Sequence, residues 1–273
     1  MNYKVDYACA SHIGHVRKSN EDCFILGKKY MDADSKGSDG VISGQFSPNR
    51  AATLVGVFDS ISGKEYGKTA AWLAARQFSS YDLDENGHDL ARLCRRVNHR
   101  LSQYAYDNSI LSIGTTANLL LLNSSSIVSA NLGDSRTYCI TKSEMLRLSK
   151  DQVAPSPDGG KGLLVQYLGA SEEELHVEPH IVRCKPRNGD IYLLCTDGLT
   201  DMVSEAEIAE IVRELLQNEN NRNNRKKDNS LETAAKALLN RALQAGGRDN
   251  ITLILCQIVA PRRGLFALFG GRG

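Results

Sequence analysis

No stretch of this 273-residue sequence approaches the roughly 20 consecutive apolar residues that cross a bilayer. The opening MNYKVDYACASH has no basic-then-apolar layout, so no secretory signal is read in it. An excess of one charge is missing too. The 33 Lys and Arg stand against 32 Asp and Glu, a net charge of +1, which argues against a dedicated nucleic-acid binder. The seven cysteines are an odd number and form no CxxC pair; five of them (Cys9, Cys23, Cys139, Cys195 and Cys256) lie in apolar runs, where a free thiol acts as a small hydrophobe. A reducing cytoplasm is the simple expectation. There is no GxSxG elbow, no cysteine placed beside histidine, and no internal repeat. His12 and His15 are assigned no role. A serine or cysteine nucleophile therefore has no candidate.

What the chain does have is aspartate at the polar ends of short apolar runs: Asp22 in SNEDCFIL, Asp59 in LVGVFDS, Asp197 in IYLLCTDGL and Asp249 in GGRDNITLILCQI. Such runs read as buried strands, and a carboxylate where a strand leaves the core can point into a cleft at a sheet edge. Each aspartate alone is an ordinary turn residue. Four of them, offering oxygen and neither sulfur nor imidazole, describe a site assembled by the fold for a hard cation, Mg²⁺ or Mn²⁺.

Strand-like runs occur near residues 3–10, 22–27, 53–58, 115–122, 126–131, 136–141, 145–148, 176–183, 190–195 and 251–259. Helical spacing of apolar residues is found over 65–79, 88–106, 204–217 and 231–244, the last two opening at Ser204 and Ser230 as N-caps. The helices come in two pairs set among consecutive strands. That is an α+β pattern of antiparallel sheets with helices outside. Residues 28–50 read as a long loop and 218–230 (NENNRNNRKKDNS) as a basic linker. Residues 1–260 are expected to form one domain. The segment 261–273 (PRRGLFALFGGRG) is expected to be a flexible tail, with a docking motif for a partner or a membrane surface as the alternative.

Six segments in order, Arg17-Lys18-Ser19-Asn20-Glu21-Asp22, Val57-Phe58-Asp59-Ser60 through Gly63, Gly114-Thr115-Thr116-Ala117, Asn131-Leu132-Gly133-Asp134-Ser135-Arg136, Thr196-Asp197-Gly198-Leu199 and Gly247-Arg248-Asp249-Asn250-Ile251-Thr252, resemble the successive motifs of bacterial PP2C-type (PPM) metal-dependent serine/threonine protein phosphatases. The resemblance implies an antiparallel β-sandwich flanked by helix pairs, four layers αββα. It implies two Mg²⁺ or Mn²⁺ ions bridged by Asp59, with Asp22 on one side and Asp197 and Asp249 on the other. The Ser60 backbone carbonyl would also be a ligand, and Glu21 would act through water. Asp134 would join Asp197 at a third ion, although NLGDSR also makes a competent hairpin turn. Arg17, whose planar fork can take two phosphate oxygens, would hold the substrate phosphate. Implied partners are phosphoprotein substrates and a cognate serine/threonine kinase.

Two departures from the family pattern stand out. Ser60 replaces a glycine that positive φ or close backbone approach to metal could require, and Ile61 stands where many members carry histidine. The stretch from Asp151 to Gln166 is studded with Pro155, Pro157, Gly159, Gly160 and Gly162 where relatives carry a longer helical flap. Ser60 is the main argument for an alternative reading, a catalytically weak pseudophosphatase that binds a partner.

Overall fold

The computed structural model describes residues 3–32, 35–38, 40–48, 51–61, 66–83, 89–156, 162–221 and 230–260. Strands and helices are numbered along the chain. One six-stranded antiparallel sheet runs β4 (Ile42–Phe46), β1 (Lys4–His12), β14 (Ile251–Val259), β13 (Ile191–Cys195), β8 (Arg136–Ile140), β9 (Met145–Arg147). The other runs β12 (His180–Cys184), β7 (Ile127–Leu132), β6 (Ala117–Leu122), β5 (Thr53–Phe58), β2 (Cys23–Leu26), β3 (Lys29–Tyr30). A third, two-stranded ribbon pairs β10 (Val153–Ala154) with β11 (Leu163–Leu164).

The apolar runs are continuous because both faces of each sheet are covered. Every residue of β6, β7 and β13 is buried. Along β14 the alternation of side chains sends Ile254 and Cys256 into the core between the sheets, and Leu253 and Leu255 into a second core under the helices. Helices α1 (Gly67–Ser80) and α2 (Leu90–Asp107) cover the second sheet; α4 (Glu205–Asn221) and α5 (Ser230–Gln244) cover the first. The expected αββα sandwich is thus observed. Between β13 and α4 a single helical turn, α3 (Asp197–Thr200), was not foreseen.

Ser204 caps α4 reciprocally: Glu207 N–H donates to Ser204 Oγ at 3.3 Å and Ser204 N–H to Glu207 Oε2 at 3.2 Å. Ser230 is itself helical, so it is not the cap of α5, which is described from that residue onward. Residues 28–50 are not one loop, since they contain β3 and β4, and β4 pairs with β1 from Val5–Phe46 to Cys9–Ile42. The run expected from 176 starts only at His180, because the side chains of Gln152 and Gln166 bond the backbone of residues 176 and 178 in place of a strand. The expected tail at 261–273, most of the basic linker (222–229) and Pro157 to Lys161 lie outside the described residues.

Candidate metal centre

Sheet register carries the four aspartates to one end of the sandwich. Cys23 lies opposite Phe58, so Asp22, just before β2, and Asp59, just after β5, leave the second sheet together. Cys195 lies opposite Leu253, so Asp197 and Asp249 leave the first sheet at one end as well. Side chains join the two sheets there: Thr196 Oγ1 donates to Asp22 Oδ2 at 2.9 Å.

Asp22 is 3% exposed and Asp197 6%. Burial pushes the Asp22 carboxyl up to about 7, the charge of Asp249 adds to this, and side-chain hydrogen bonding with Thr252, Thr196 and Asp59 opposes it. Arg17 Nη2 donates to Asp249 Oδ2 at 2.7 Å, with the arginine side chain 42% exposed. That bond, reinforced by the charges of Asp249, Asp59 and Glu21, raises the Arg17 pKa. Glu21 is oriented by two hydroxyls, Ser19 Oγ on Oε1 and Ser60 Oγ on Oε2, each at 2.9 Å. Arg17, Glu21, Asp22, Asp59, Ser60 and Asp249 are therefore close neighbours.

The Gly114-Thr115-Thr116 motif holds the Asp59 turn. The Asp59 carbonyl accepts from Thr116 N–H and Thr115 Oγ1, both at 2.8 Å, and Asp59 N–H donates to Thr116 Oγ1 at 2.9 Å. Ser60 then bridges to Thr115, and Ile61 N–H donates to the Gly114 carbonyl at 3.1 Å. Ser60 does not adopt positive φ; among the described residues Ser109 is the one non-glycine that does. Its Cβ is accommodated because residue 67 has none: a Cβ built on Gly67 would lie 2.8 Å from that of Ser60. The strain feared at this position is absent, and with it the main argument for a pseudophosphatase.

Asp197 is the first residue of α3. Asp134 lies in the link from β7 to β8, which belong to different sheets, so NLGDSR is a crossover and not a hairpin. Among the described residues no three Asp, Glu, His or Cys side chains converge as a ready-made cation site. A cleft of about 480 Å³ lined by Lys150, Asp151, Gln152, Val165, Glu178 and His180 takes in none of the expected residues. The donor chemistry nevertheless suits a hard cation: all donors are oxygen, and buried Asp22 is a carboxylate in want of positive charge.

Sequence reasoning missed Asn250. Buried at 5%, it donates from Nδ2 to the carbonyls of Ile13 and Ser19, both at 2.9 Å, and accepts from Glu21 N–H at 2.8 Å. One amide so clips both ends of the Arg17 loop to the entrance of β14. The loop lies so near that a Cβ on Gly14, at φ 83°, would sit 2.2 Å from the Asp249 carbonyl oxygen. Gly198 is tighter still, at 1.9 Å from that of Asn250. Asn250 stands in the Gly247–Thr252 segment quoted above, but no role was read for it there, because Asp-Asn reads equally well as a turn.

Residues 62–259 match the family described as Stage II sporulation protein E (SpoIIE). The serine/threonine protein phosphatase PstP of Mycobacterium tuberculosis is 28% identical over 272 residues, covering 93% of this chain and 45% of PstP. The chain thus spans less than half the length of that relative. The serine/threonine phosphatase stp of Listeria innocua is 29% identical over 239 residues, covering 78% of this chain and 88% of stp. The crystal structure of the PstP catalytic domain in complex with two manganese ions aligns with a TM-score of 0.65 at 25% identity, covering 94% of this chain and 100% of that one.

Proposed function

Since the chain belongs to the family of Stage II sporulation protein E, a SpoIIE/PP2C-type domain, we propose that it is a phosphatase that hydrolyses phosphoserine and phosphothreonine in proteins. The single observation that carries this reading is that sheet register brings Asp22 and Asp59 from one sheet and Asp249 from the other to the same end of the sandwich, where Arg17 bonds Asp249. In the proposed site Asp22, Asp59, Asp197, Asp249 and the Ser60 carbonyl hold two Mn²⁺ or Mg²⁺ ions. Asp134 contributes to a third. When bound, such ions supply an acidified water and positive charge for in-line displacement at phosphorus.

The chain's own groups prepare the rest. Glu21, fixed by Ser19 and Ser60, would act on the ions through water. Arg17 faces the solvent from which phosphate arrives, and its fork grips phosphate oxygens in a fixed plane. Thr115 and Thr116 keep the Asp59 carboxylate at the sheet edge by tying down its backbone. The closed, buried end of the sandwich excludes bulk water behind Asp22. A cognate serine/threonine kinase and its targets are the substrates this reading favours, and a cytoplasmic location belongs to it. The relatives named phosphatases support it, as does the two-manganese PstP structure.

The test is hydrolysis of an aryl phosphate and a phosphothreonine peptide with Mn²⁺, with Mg²⁺ and with chelator. Turnover is expected with either ion and lost in EDTA. Undiminished turnover after exhaustive chelation would sink the mechanism.

A further inference from the structure

Gln152 bonds three separate parts of the chain with its backbone and side chain together. Its N–H donates to the Gly133 carbonyl at 3.0 Å, and its carbonyl accepts from Val165 N–H at 2.9 Å. In the side chain, Oε1 accepts from Gly133 N–H at 3.1 Å and Nε2 donates to the Glu178 carbonyl at 3.2 Å. One half-buried residue at the foot of β10 therefore joins the crossover turn from β7 to β8, the returning leg of the ribbon and the entrance to β12.

The crossover turn leads on to Asp59. Gly133, at φ 99°, packs directly on Thr116: a Cβ there would lie 2.7 Å from Thr116 Cγ2. Ser135 meets the same threonine, hydroxyl to hydroxyl at 2.9 Å, and both residues are buried. Thr116 Oγ1 in turn accepts from Asp59 N–H. Asp134 stands between Gly133 and Ser135, so its backbone is fixed from both sides. The returning leg of the ribbon reaches Asp59 by a second route. Leu168 and Thr115 exchange two backbone hydrogen bonds, at 2.9 and 3.0 Å, and Thr115 Oγ1 donates to the Asp59 carbonyl. The two legs are thus tied, one through Gln152 and Gly133 and one directly, to the two threonines that hold Asp59.

We propose that Gln152 is a positioning residue that couples ion binding at the aspartates to the order of the ribbon. The inference rests on the ion site proposed above. Asp59 and Asp134, once bound to ions, fix the turn beside Thr116, and Gln152 passes that constraint to Val165 and Glu178. Such coupling needs a contiguous network, and the bonds of Gln152 complete one. It is also reciprocal, so a ribbon released from Gly133 N–H weakens ion binding. A glutamine that merely satisfied backbone groups would hold the ribbon alike with and without ions.

The test is hydrogen exchange of the full chain, followed at the Val165 and Leu168 amides in EDTA and in saturating Mn²⁺. Both amides are expected to slow about fivefold or more with Mn²⁺ in the wild type. Gln152→Met keeps the length of the side chain and offers nothing to Gly133 N–H or to the Glu178 carbonyl. It should cut the slowing at Val165 to about twofold or less and bind Mn²⁺ about fivefold more weakly by calorimetry. Leu168, whose route through Thr115 is intact, should slow as before. Gln152→Asn, one methylene too short for Gly133 N–H, should repeat this result with a polar side chain. Gln152→Glu keeps an acceptor for that N–H and should restore the slowing at Val165. Amides indifferent to Mn²⁺ in a wild type that binds the ion would overturn the coupling and leave the ion site standing. Absence of Mn²⁺ binding in the calorimeter would remove the site and the coupling with it. The coupling is overturned equally by Gln152→Met or Gln152→Asn slowing like wild type at Val165, by loss of the Leu168 effect together with that at Val165, or by Gln152→Glu behaving like Gln152→Met.

Discussion

Replacing Asp22 by asparagine should stabilise the chelated protein, although it removes a proposed ligand. The carboxyl is 3% exposed and pushed up to about 7, chiefly by burial, whereas an unfolded aspartate titrates near 3.9. A carboxyl raised in the fold holds its proton where the unfolded chain has released it. Its stabilising share is therefore complete below about pH 4, lost progressively as pH rises to about 7, and absent above. Keeping the group ionised at pH 8 costs the chelated fold up to about 4 kcal/mol. Asparagine abolishes that cost and keeps an oxygen to accept from Thr196 Oγ1, now 2.9 Å away. Its amide hydrogens must find partners, so a net gain of about 1–3 kcal/mol, or roughly 3–10 °C in Tm, is expected at pH 8. At pH 4 the two proteins should melt together. Mn²⁺ should reverse the order at pH 8 by stabilising wild type selectively. Thermal melts in EDTA and in Mn²⁺ at both pH values decide it. A wild type as stable as Asp22→Asn in EDTA at pH 8 would refute the claim that Asp22 is a buried charge in want of a cation.

Arg17→Ala should raise KM for phosphorylated substrates about 10–100-fold with a smaller loss of kcat, since a phosphate clamp acts in ground and transition states alike. Calorimetric Mn²⁺ titration should be nearly unchanged; a collapsed metal affinity beside an unaltered KM would make Arg17 an organiser of Asp249 instead. Ser60→Gly should alter kcat less than threefold, because no left-handed strain is relieved and only the bond to Glu21 is lost. Gly67→Ala should destabilise the protein by about 1–3 kcal/mol through the 2.8 Å approach to Ser60 Cβ, and Ser60→Gly should recover most of it. Urea denaturation of the two single variants and the double variant measures the coupling, and additive losses would show that the two residues do not interlock. Asn250→Ala should cost about 2–4 kcal/mol by orphaning the Ile13 and Ser19 carbonyls and the Glu21 N–H; a loss below about 0.5 kcal/mol would mean the loop is held by other contacts.

Much of this architecture was readable from residues. Strands buried on both faces, such as ANLLLL of β6 and IYLLC of β13, print themselves as apolar runs, and α2 prints its buried face at helical spacing. The elements that escaped notice are those with little to bury. β4 (ISGQF) is an edge strand with no fully buried residue, held by backbone pairing to β1 that composition does not record. The aspartates were visible because each adjoins a buried run. Their mutual approach follows from register, and the crossover at Gly133–Ser135 was hidden because β7 and β8 lie side by side in sequence but in different sheets. The worry over Ser60 came from a glycine-bearing motif, and its resolution lies at Gly67, whose contact with Ser60 exists only once α1 is docked.

The order of strands also fixes when the site can exist. β14 lies between β1 and β13, although it follows both in the chain. A ribosome releasing this protein delivers the second sheet whole by Cys184, with Asp22 and Asp59 already at its edge. The first sheet must wait with an open slot beside β1 until Ile251–Val259 emerge, and such distant pairing is slow to close. Asp249 and Asn250 arrive with that strand, and Asn250 then locks the Arg17 loop made more than 200 residues before. Until β14 is paired, Asp249 stands apart from Asp22 and Asp59, and the Arg17 loop lacks its Asn250 clip. The Arg17–Asp249 ion pair and the clustering of the carboxylates thus form last, with the strand that closes the first sheet.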